Sequence, residues 1–205
     1  RYLIVPNGVP KFHLTIDSIQ NRDALKKGLQ IPSNKTTIIT ICRLEKIKNL
    51  FEFIHIAALC PQYNFLIVGG GCLENKLKEY IFNLNLKNII LTGFTFNPIN
   101  YLLASDIYLS TSFREGHPIS ILEAMSIALP VIATNVTGNK DTIIHGKSGF
   151  FYEINSISSA SNYIQMLAND ISLRRRLGRE GLREQREFFS SEAMIANYSK
   201  IYSTF

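Results

Sequence analysis

The sequence predicts an α/β fold, an open parallel sheet with helices on both faces. Short β-branched runs recur that are apolar on both faces, as strands of a covered parallel sheet must be. Helical patterns fall between them, the arrangement that right-handed crossovers between parallel strands need. Clusters of charge and glycine follow several of the runs, where an open α/β sheet binds its ligands. Strands are expected at residues 3–5, 37–42, 64–68, 88–91, 106–110, 130–133 and 150–152. Helices are expected at 50–59, 73–84, 119–128, 157–167, 172–189 and 193–202.

The elements can be justified in chain order. Residues 1–10 read as a strand running into a turn through Pro6, Asn7 and Gly8, so further chain is expected upstream. The run 37–42 leads into a charged joint. Arg43 stands at its carboxyl end, and Lys48 lies five residues on, beside the start of helix 50–59. Arginine offers a planar fork to phosphate and lysine a compact charge. Two such cations beside a helix N-terminus could hold a diphosphate and stabilise it as it departs. A solvated, charged turn is the other reading. The run 64–68 ends at Gly69-Gly70-Gly71. The later glycine of a dinucleotide fingerprint is missing, with Asn75 or Lys76 in its place, and no acidic residue follows to read an adenosine ribose. A tight turn beside a ligand crevice, with Gly70 near the ligand, is therefore expected instead of a dehydrogenase site. Strand 88–91 exits through Thr92 and Gly93 to Phe94 and Thr95, which could pack a nucleobase or simply end the strand.

Strand 106–110 leads into the densest stretch, Ser112 to Met125, where Glu115 and Glu123 are separated by seven residues. Glu115 falls in the loop Arg114-Glu115-Gly116-His117-Pro118. Pro118 suits a first helical position, and Gly116 would let a backbone approach a ligand. The free amides that open the next helix, from Ile119, favour an anion such as phosphate. An ordinary strand–turn–helix joint would also need a glycine and a proline. Glu123 sits among Ile119, Leu122, Ala124, Met125 and Ile127. A carboxylate in apolar surroundings costs several kcal/mol unless it is hydrogen-bonded, and the vicinal hydroxyls of a ribose supply two such bonds. A carboxylate on an exposed helix rim is the alternative. Towards the end, residues 172–189 form an amphipathic helix rich in arginine, read as a solvated surface helix or as a face for a membrane or partner. Ser190-Ser191-Glu192 then reads as a helix start.

Composition bounds the remaining choices. The 205 residues are 46% hydrophobic and 19% charged, as in a folded globular chain. The net charge of +6 admits nucleic acid, a membrane surface or a phosphorylated small molecule. No basic stretch is interleaved with aromatics, so nucleic acid is not expected. Cys42, Cys60 and Cys72 have no paired spacing, and His13, His55, His117 and His145 have no metal-ligand spacing. Reduced thiols and a cytoplasmic location, peripheral to the membrane at most, are expected. No apolar run is long enough to span a bilayer.

Taken together, these stretches resemble the carboxyl-terminal half of a retaining glycosyltransferase of the large group 1 family, one Rossmann-like half of the two-domain GT-B fold. The resemblance runs from Pro6–Val9 through Arg43 to Asn49, Val68–Gly71, Leu91–Phe94 and Ala104–Asp106. It continues through Glu115 to Met125, Pro130–Ala133 and Gly146–Gly149. It implies one donor-binding domain over 1–205. Residues 1–10 would be the remnant of an interdomain linker, and residues 190–205 a helix that returns to an N-terminal, acceptor-binding half. It implies that a nucleoside-diphosphate sugar is the donor and a glycan or lipid-linked acceptor the partner, in surface-polysaccharide synthesis. Arg43 and Lys48 would clasp the diphosphate, Glu123 the ribose and Glu115 the donor sugar. Amides around Gly116, His117, Pro118 and Ile119 would meet phosphate or sugar, and Phe94 and Thr95 the base. Glu115, Arg43 and Lys48 would carry the chemistry without a metal or other cofactor, and this half alone would be inactive. Three positions depart from the family pattern. Ala128 stands where glycine is frequent, Thr137 replaces one glycine of a pair, and Asp141 stands where glutamate is common. A sugar-nucleotide epimerase of the same fold and a binding module with a basic membrane-contacting helix are the competing readings.

Overall fold

Apolar runs that must be covered on both faces fold here as six parallel strands, in a computed structural model that describes residues 4–12 and 22–203. They are β1 (Thr37–Ile41), β2 (Asn64–Val68), β3 (Ile89–Gly93), β4 (Ile107–Ser110), β5 (Val131–Thr134) and β6 (Gly149–Tyr152), in the order β3-β2-β1-β4-β5-β6. Alternation along each strand divides the core in two. Ile38, Phe65 and Ile67 pack to one face, with Phe53, Ile56, Ile164 and Leu167. Ile39, Leu66 and Val68 pack to the other, with Tyr108, Ile121 and Met125. The helices supplying these layers are α1 (Arg22–Gly28), α2 (Leu50–Leu59), α3 (Glu74–Asn83), α4 (Ile99–Leu103), α5 (Ile119–Ser126), α6 (Thr137–Lys140), α7 (Ile157–Asn169), α8 (Ile171–Phe188) and α9 (Ser191–Tyr202).

The strand order fixes where a ligand can sit. The chain runs outward from β1 to β3, then returns to lay β4 on the other side of β1. Ile39 therefore pairs with Leu66 on one side and Tyr108 on the other. Connections leave β1 and β4 in opposite directions, and the crevice between their carboxyl ends is the topological switch point.

The strand expected at 3–5 does not form at Ile4 and Val5, and Leu3 lies outside the described residues. Ile4 is 92% exposed, and Pro6 has no N–H to give a ladder. Instead Val9 makes a parallel bridge to Ser190, with its amide donating to Phe189 O at 3.0 Å and its carbonyl accepting from Ser191 N at 3.0 Å. The opening segment thus lies against the start of α9, whose Ser190 cap accepts from Ala193 N at 3.2 Å. No residue of α9 is buried.

Helix α5 stops at Ser126, two residues short of the expected end. Leu129 N bonds Ala124 O at 3.0 Å and Ala128 N bonds Met125 O at 3.0 Å, the two bonds of a Schellman cap. Ala128 takes the left-handed conformation that cap requires (φ 61°), where glycine is favoured. Helix α8 packs across this cap: a Cβ at Gly178 would stand 2.0 Å from Ala128 O. The inner face of α8 buries Leu177, Gly178, Gly181, Glu184 and Gln185, so the amphipathic reading of 172–189 holds.

At the amino end of the sheet, buried Asp106 ties several elements together. Its carboxylate accepts from Thr37 N at 2.9 Å, pairs with Arg22 at 2.8 Å and Arg174 at 3.7 Å, and lies 3.9 Å from Lys26. Arg174 therefore turns inward, unlike the other arginines of α8.

Candidate functional site

The switch point assembles the two charged joints that the sequence keeps 67 positions apart. After β1 the chain makes a 3₁₀ turn over Lys46–Lys48, and after β4 it passes through Thr111–Pro118. Phe113 N donates to Ile47 O at 2.9 Å and Thr111 Oγ1 to Lys48 O at 2.8 Å, so the joints brace one another. Lys48 Nζ then meets Glu115 Oε1 at 2.7 Å, and Ser112 Oγ donates to the same oxygen at 2.6 Å. Both contacts fall on Oε1, and among the described residues nothing bonds Oε2.

The β5 exit supports this loop from the far side. Thr134 Oγ1 donates to Ser112 O at 2.6 Å, and Asn139 Nδ2 to Thr134 O at 2.9 Å. Gly138 N donates to Glu115 O at 3.3 Å, and a Cβ at Gly138 would stand 2.1 Å from Gly116 O. This is the glycine that the pair cannot lose, whereas the departure at Thr137 is exposed and tolerated.

Helix α5 opens onto the same crevice. Pro118 is its N-cap, with ψ 106°, and not its first turn as expected, so Ile119 is the first helical residue. The first bonds of the helix run from Ile121 and Leu122 to Pro118 O, and among the described residues none accepts from the amides of Ile119 and Ser120. Such amides attract anions. Ser120 is held from below by the buried Tyr108 hydroxyl, 2.8 Å from Ser120 Oγ and 3.2 Å from Ile41 O. Glu123 lies one turn beyond Ile119, on the same helix face. Ile119 is exposed and Glu123 half-buried, while Ile121, Leu122, Ala124 and Met125 are buried. Burial raises the Glu123 carboxyl above its ordinary range, and among the described residues its side chain has no hydrogen-bond partner.

Other expected residues stand differently. Arg43 is turned outward, its side chain 77% exposed and paired with Glu45 at 2.9 Å, not drawn towards Lys48. A neighbouring carboxylate is the nearest partner for the guanidinium. The His117 ring is buried against Phe189, with centroids 5.2 Å apart and neither ring nitrogen bonded. Burial lowers its pKa, Asp141 acting against that shift. Among the described residues, His117 meets a polar partner at its carbonyl, which accepts from Asn7 Nδ2 at 3.1 Å. Gly116 adjoins open space. At the ends of β2 and β3, Gly70 and Phe94 lie together: a Cβ at Gly70 would be 3.3 Å from Phe94 Cβ. Phe94 is 68% exposed and makes an edge contact with Phe96, with centroids 4.8 Å apart. Thr95 Oγ1 accepts from Asn97 N at 3.1 Å, within its own turn.

Sequence reasoning passed over Ser112, Gly138 and Tyr108. Ser112 had a visible signal, a hydroxyl three residues before Glu115. Gly138 was legible only as the remaining glycine of the pair that Thr137 breaks, and Tyr108, which acts through elements distant in sequence, carried none. Burial pushes the Cys42 thiol up to about 12 despite the neighbouring Lys48, which disfavours its thiolate. Among the described residues no group of three or more His, Cys, Asp or Glu is placed to hold a metal ion. No helix of the described residues is long and apolar enough to cross a membrane.

This geometry has relatives. The family described as "Glycosyl transferases group 1" matches residues 21–184. The chain is 28% identical over 193 residues to the capsular polysaccharide biosynthesis glycosyltransferase CapM of Staphylococcus aureus, covering 91% of this chain and 51% of that protein. It is 35% identical over 177 residues to the UDP-Gal:alpha-D-GlcNAc-diphosphoundecaprenol alpha-1,3-galactosyltransferase of Escherichia coli, covering 82% and 45%. The chain thus spans about half the length of these curated relatives. Anabaena Alr3699/HepE, solved in complex with UDP and glucose, superposes with a TM-score of 0.88 at 21% identity, over 98% of this chain and 56% of that one. A mutant of S. aureus TarM, solved with Fondaparinux, alpha-GlcNAc-glycerol and UDP, superposes with a TM-score of 0.76 at 26% identity, over 82% and 35%. With the matched family region spanning most of the chain, and its sheet and crevice formed as above, the chain belongs to the group 1 glycosyltransferases, in one Rossmann-like half of the GT-B fold.

Proposed function

We propose that this domain binds a nucleoside-diphosphate sugar and presents its anomeric carbon to a glycan or lipid-linked acceptor carried by an N-terminal half, with transfer that retains configuration and needs no metal. The observation that carries the reading is the Lys48–Glu115 pair, at 2.7 Å, at the same strand end as the unbonded amides of Ile119 and Ser120. A diphosphate brings two negative charges to a place where a cation and a helix N-terminus are already arranged. Lys48 spends one N–H on Glu115 and has two left for phosphate oxygens. As the bond to the sugar breaks and charge builds on the departing diphosphate, those donors and the α5 amides stabilise it without reorganising. Arg43 joins them by leaving Glu45, an exposed pair whose loss costs about 0–1 kcal/mol.

Glu115 Oε2 is free to accept from a hydroxyl of the donor sugar, while Oε1 stays fixed by Lys48 and Ser112. Glu123 takes the ribose hydroxyls, and that ligand offsets the burial of its charge. Phe94 offers a ring face to the base beside Gly70. The names of the E. coli relative and the TarM complex support a UDP-linked donor. Surface-polysaccharide synthesis is the setting the CapM likeness supports.

Titration calorimetry with UDP, GDP and ADP tests this reading. One of them should bind, and Lys48→Ala should weaken it tenfold or more; no binding by any of the three would sink the proposal. Product analysis on a protein carrying both halves then separates transfer with retention from epimerisation of the free donor.

A further inference from the structure

We infer that the outer face of α8 docks on the anionic surface of a phospholipid membrane. Arg175, Arg176, Arg179, Arg183 and Arg186 are all exposed. At 100° per residue they fall within about 100° of arc, opposite the face that buries Leu177, Gly178 and Gly181. Glu180 and Glu187 lie at one edge of that arc, and no acidic residue lies inside it. The stripe is roughly 17 Å long from Arg175 to Arg186.

Helix stability alone argues against this arrangement. Arg175 and Arg179, and Arg179 and Arg183, are like charges four apart, and each such pair destabilises a helix by about 0.2–0.5 kcal/mol. Arg183 is relieved by Glu180 at 2.7 Å, and Arg179 Nε donates to Arg175 O at 3.3 Å. Among the described residues, Arg175, Arg176, Arg179 and Arg186 have no acidic partner. Arg174, one residue before the stripe, turns inward to Asp106, which shows what an arginine of this helix does when its task is structural. The other five form a cationic face with no apolar wedge. Its shape complements a flat sheet of phosphates, and nothing on it could grip an apolar groove.

The direction of α8 gives that face a use. Gly178 lies against Ala128, beyond the end of α5, Gly181 against Met125, and Phe189 against His117, just before α5 begins. The stripe therefore runs from the back of the sheet to its donor end, and Arg186 arrives at the end that carries Lys48 and Glu115. A bilayer on this face would lie beside the crevice, where a lipid-linked acceptor would have to be presented. That use rests on the proposed function; the docking itself does not.

Co-sedimentation with vesicles tests the docking, comparing phosphatidylcholine alone with a phosphatidylcholine–phosphatidylglycerol mixture. Binding should require phosphatidylglycerol and should fall steeply with salt. Arg175→Ala, Arg179→Ala and Arg183→Ala should each weaken it about fivefold, the equivalent of about 1 kcal/mol per basic residue near an anionic surface. These side chains are exposed, so circular dichroism melts should stay near the parent, rising slightly where a like-charge pair is relieved and falling slightly where the Arg183–Glu180 pair is lost. A Lys76→Ala/Lys87→Ala control removes exposed charge elsewhere and should leave binding unchanged. The inference is overturned by equal binding to neutral vesicles, by no binding to either, or by an equal loss in the lysine control. It is also overturned if single-stranded RNA binds more tightly than the phosphatidylglycerol vesicles. Calorimetry of nucleotide binding is read separately, so failure of the donor reading would leave this result standing.

Discussion

The two ends of the sheet each hold a carboxylate beside cations, and they use it differently. At the amino end, Asp106 is closed: a backbone amide, two arginines and a lysine converge on it, and it joins β1, α1 and α8. At the carboxyl end, Glu115 is open: Lys48 and Ser112 share one oxygen, and among the described residues the second oxygen, the amides of Ile119 and Ser120, and the Glu123 side chain have no partner. A carboxylate whose oxygens are taken up by protein donors is a strut, whereas one that keeps an acceptor open to solvent is a socket, because a ligand can replace water on that acceptor. The difference lies in accounting for donors and acceptors, since residue types are alike at both ends.

Substitutions can break this contrast. Asp106→Ala should have the largest effect, a loss of about 3–5 kcal/mol of stability, because Lys26 and Arg174 would be left without their carboxylate; thermal and urea unfolding measure it. Burial already lowers the Lys26 pKa, and Asp106 is the main group opposing that shift. Nucleotide affinity of the folded fraction should stay unchanged. Lys48→Ala should do the opposite, weakening nucleotide binding by 10- to 100-fold, about 1.5–3 kcal/mol for a charge-assisted bond. Its melting temperature should fall less than that of Asp106→Ala. If the two variants behaved alike, the distinction between strut and socket would fail.

Glu123→Gln sharpens it further. Burial raises the Glu123 carboxyl, so the folded protein holds that proton more tightly than the unfolded chain does. The associated stability is full below the ordinary carboxylate pKa of about 4.3 and is lost as pH rises through the raised value. Glutamine escapes that loss. The variant should therefore gain in melting temperature relative to the parent as pH rises from 4 towards 7, yet bind nucleotide about tenfold more weakly. The smallest effect is expected at Ala128→Gly, which relieves the left-handed residue of the α5 cap and should stabilise by about 1 kcal/mol without touching nucleotide affinity.

Much of the sheet was legible because its strands are buried on both faces, and a run such as 64–68 admits little else. The strand expected at 3–5 was misread because hydrophobicity there has no sheet edge to join. Lys48 and Glu115 were each legible as site candidates through their like positions after strands, though not as partners of one another. Arg43 was placed correctly in the chain but turned towards Glu45, a choice that local charge makes in the folded state. His117 reads as a site residue, yet its ring packs on Phe189, because α8 reaches across the domain to cover it.

By itself the sequence determined the alternation of elements, the charged and glycine joints after strands, and the carboxylate inside an apolar helix. These follow from periodicity and desolvation, which act over a few neighbouring residues. Only the tertiary structure decided that β4 lies beside β1, that Lys48 meets Glu115, and that one arginine of α8 turns inward while five line the outside. Those outcomes depend on which distant groups share a boundary with water, and that boundary exists only once the chain has folded.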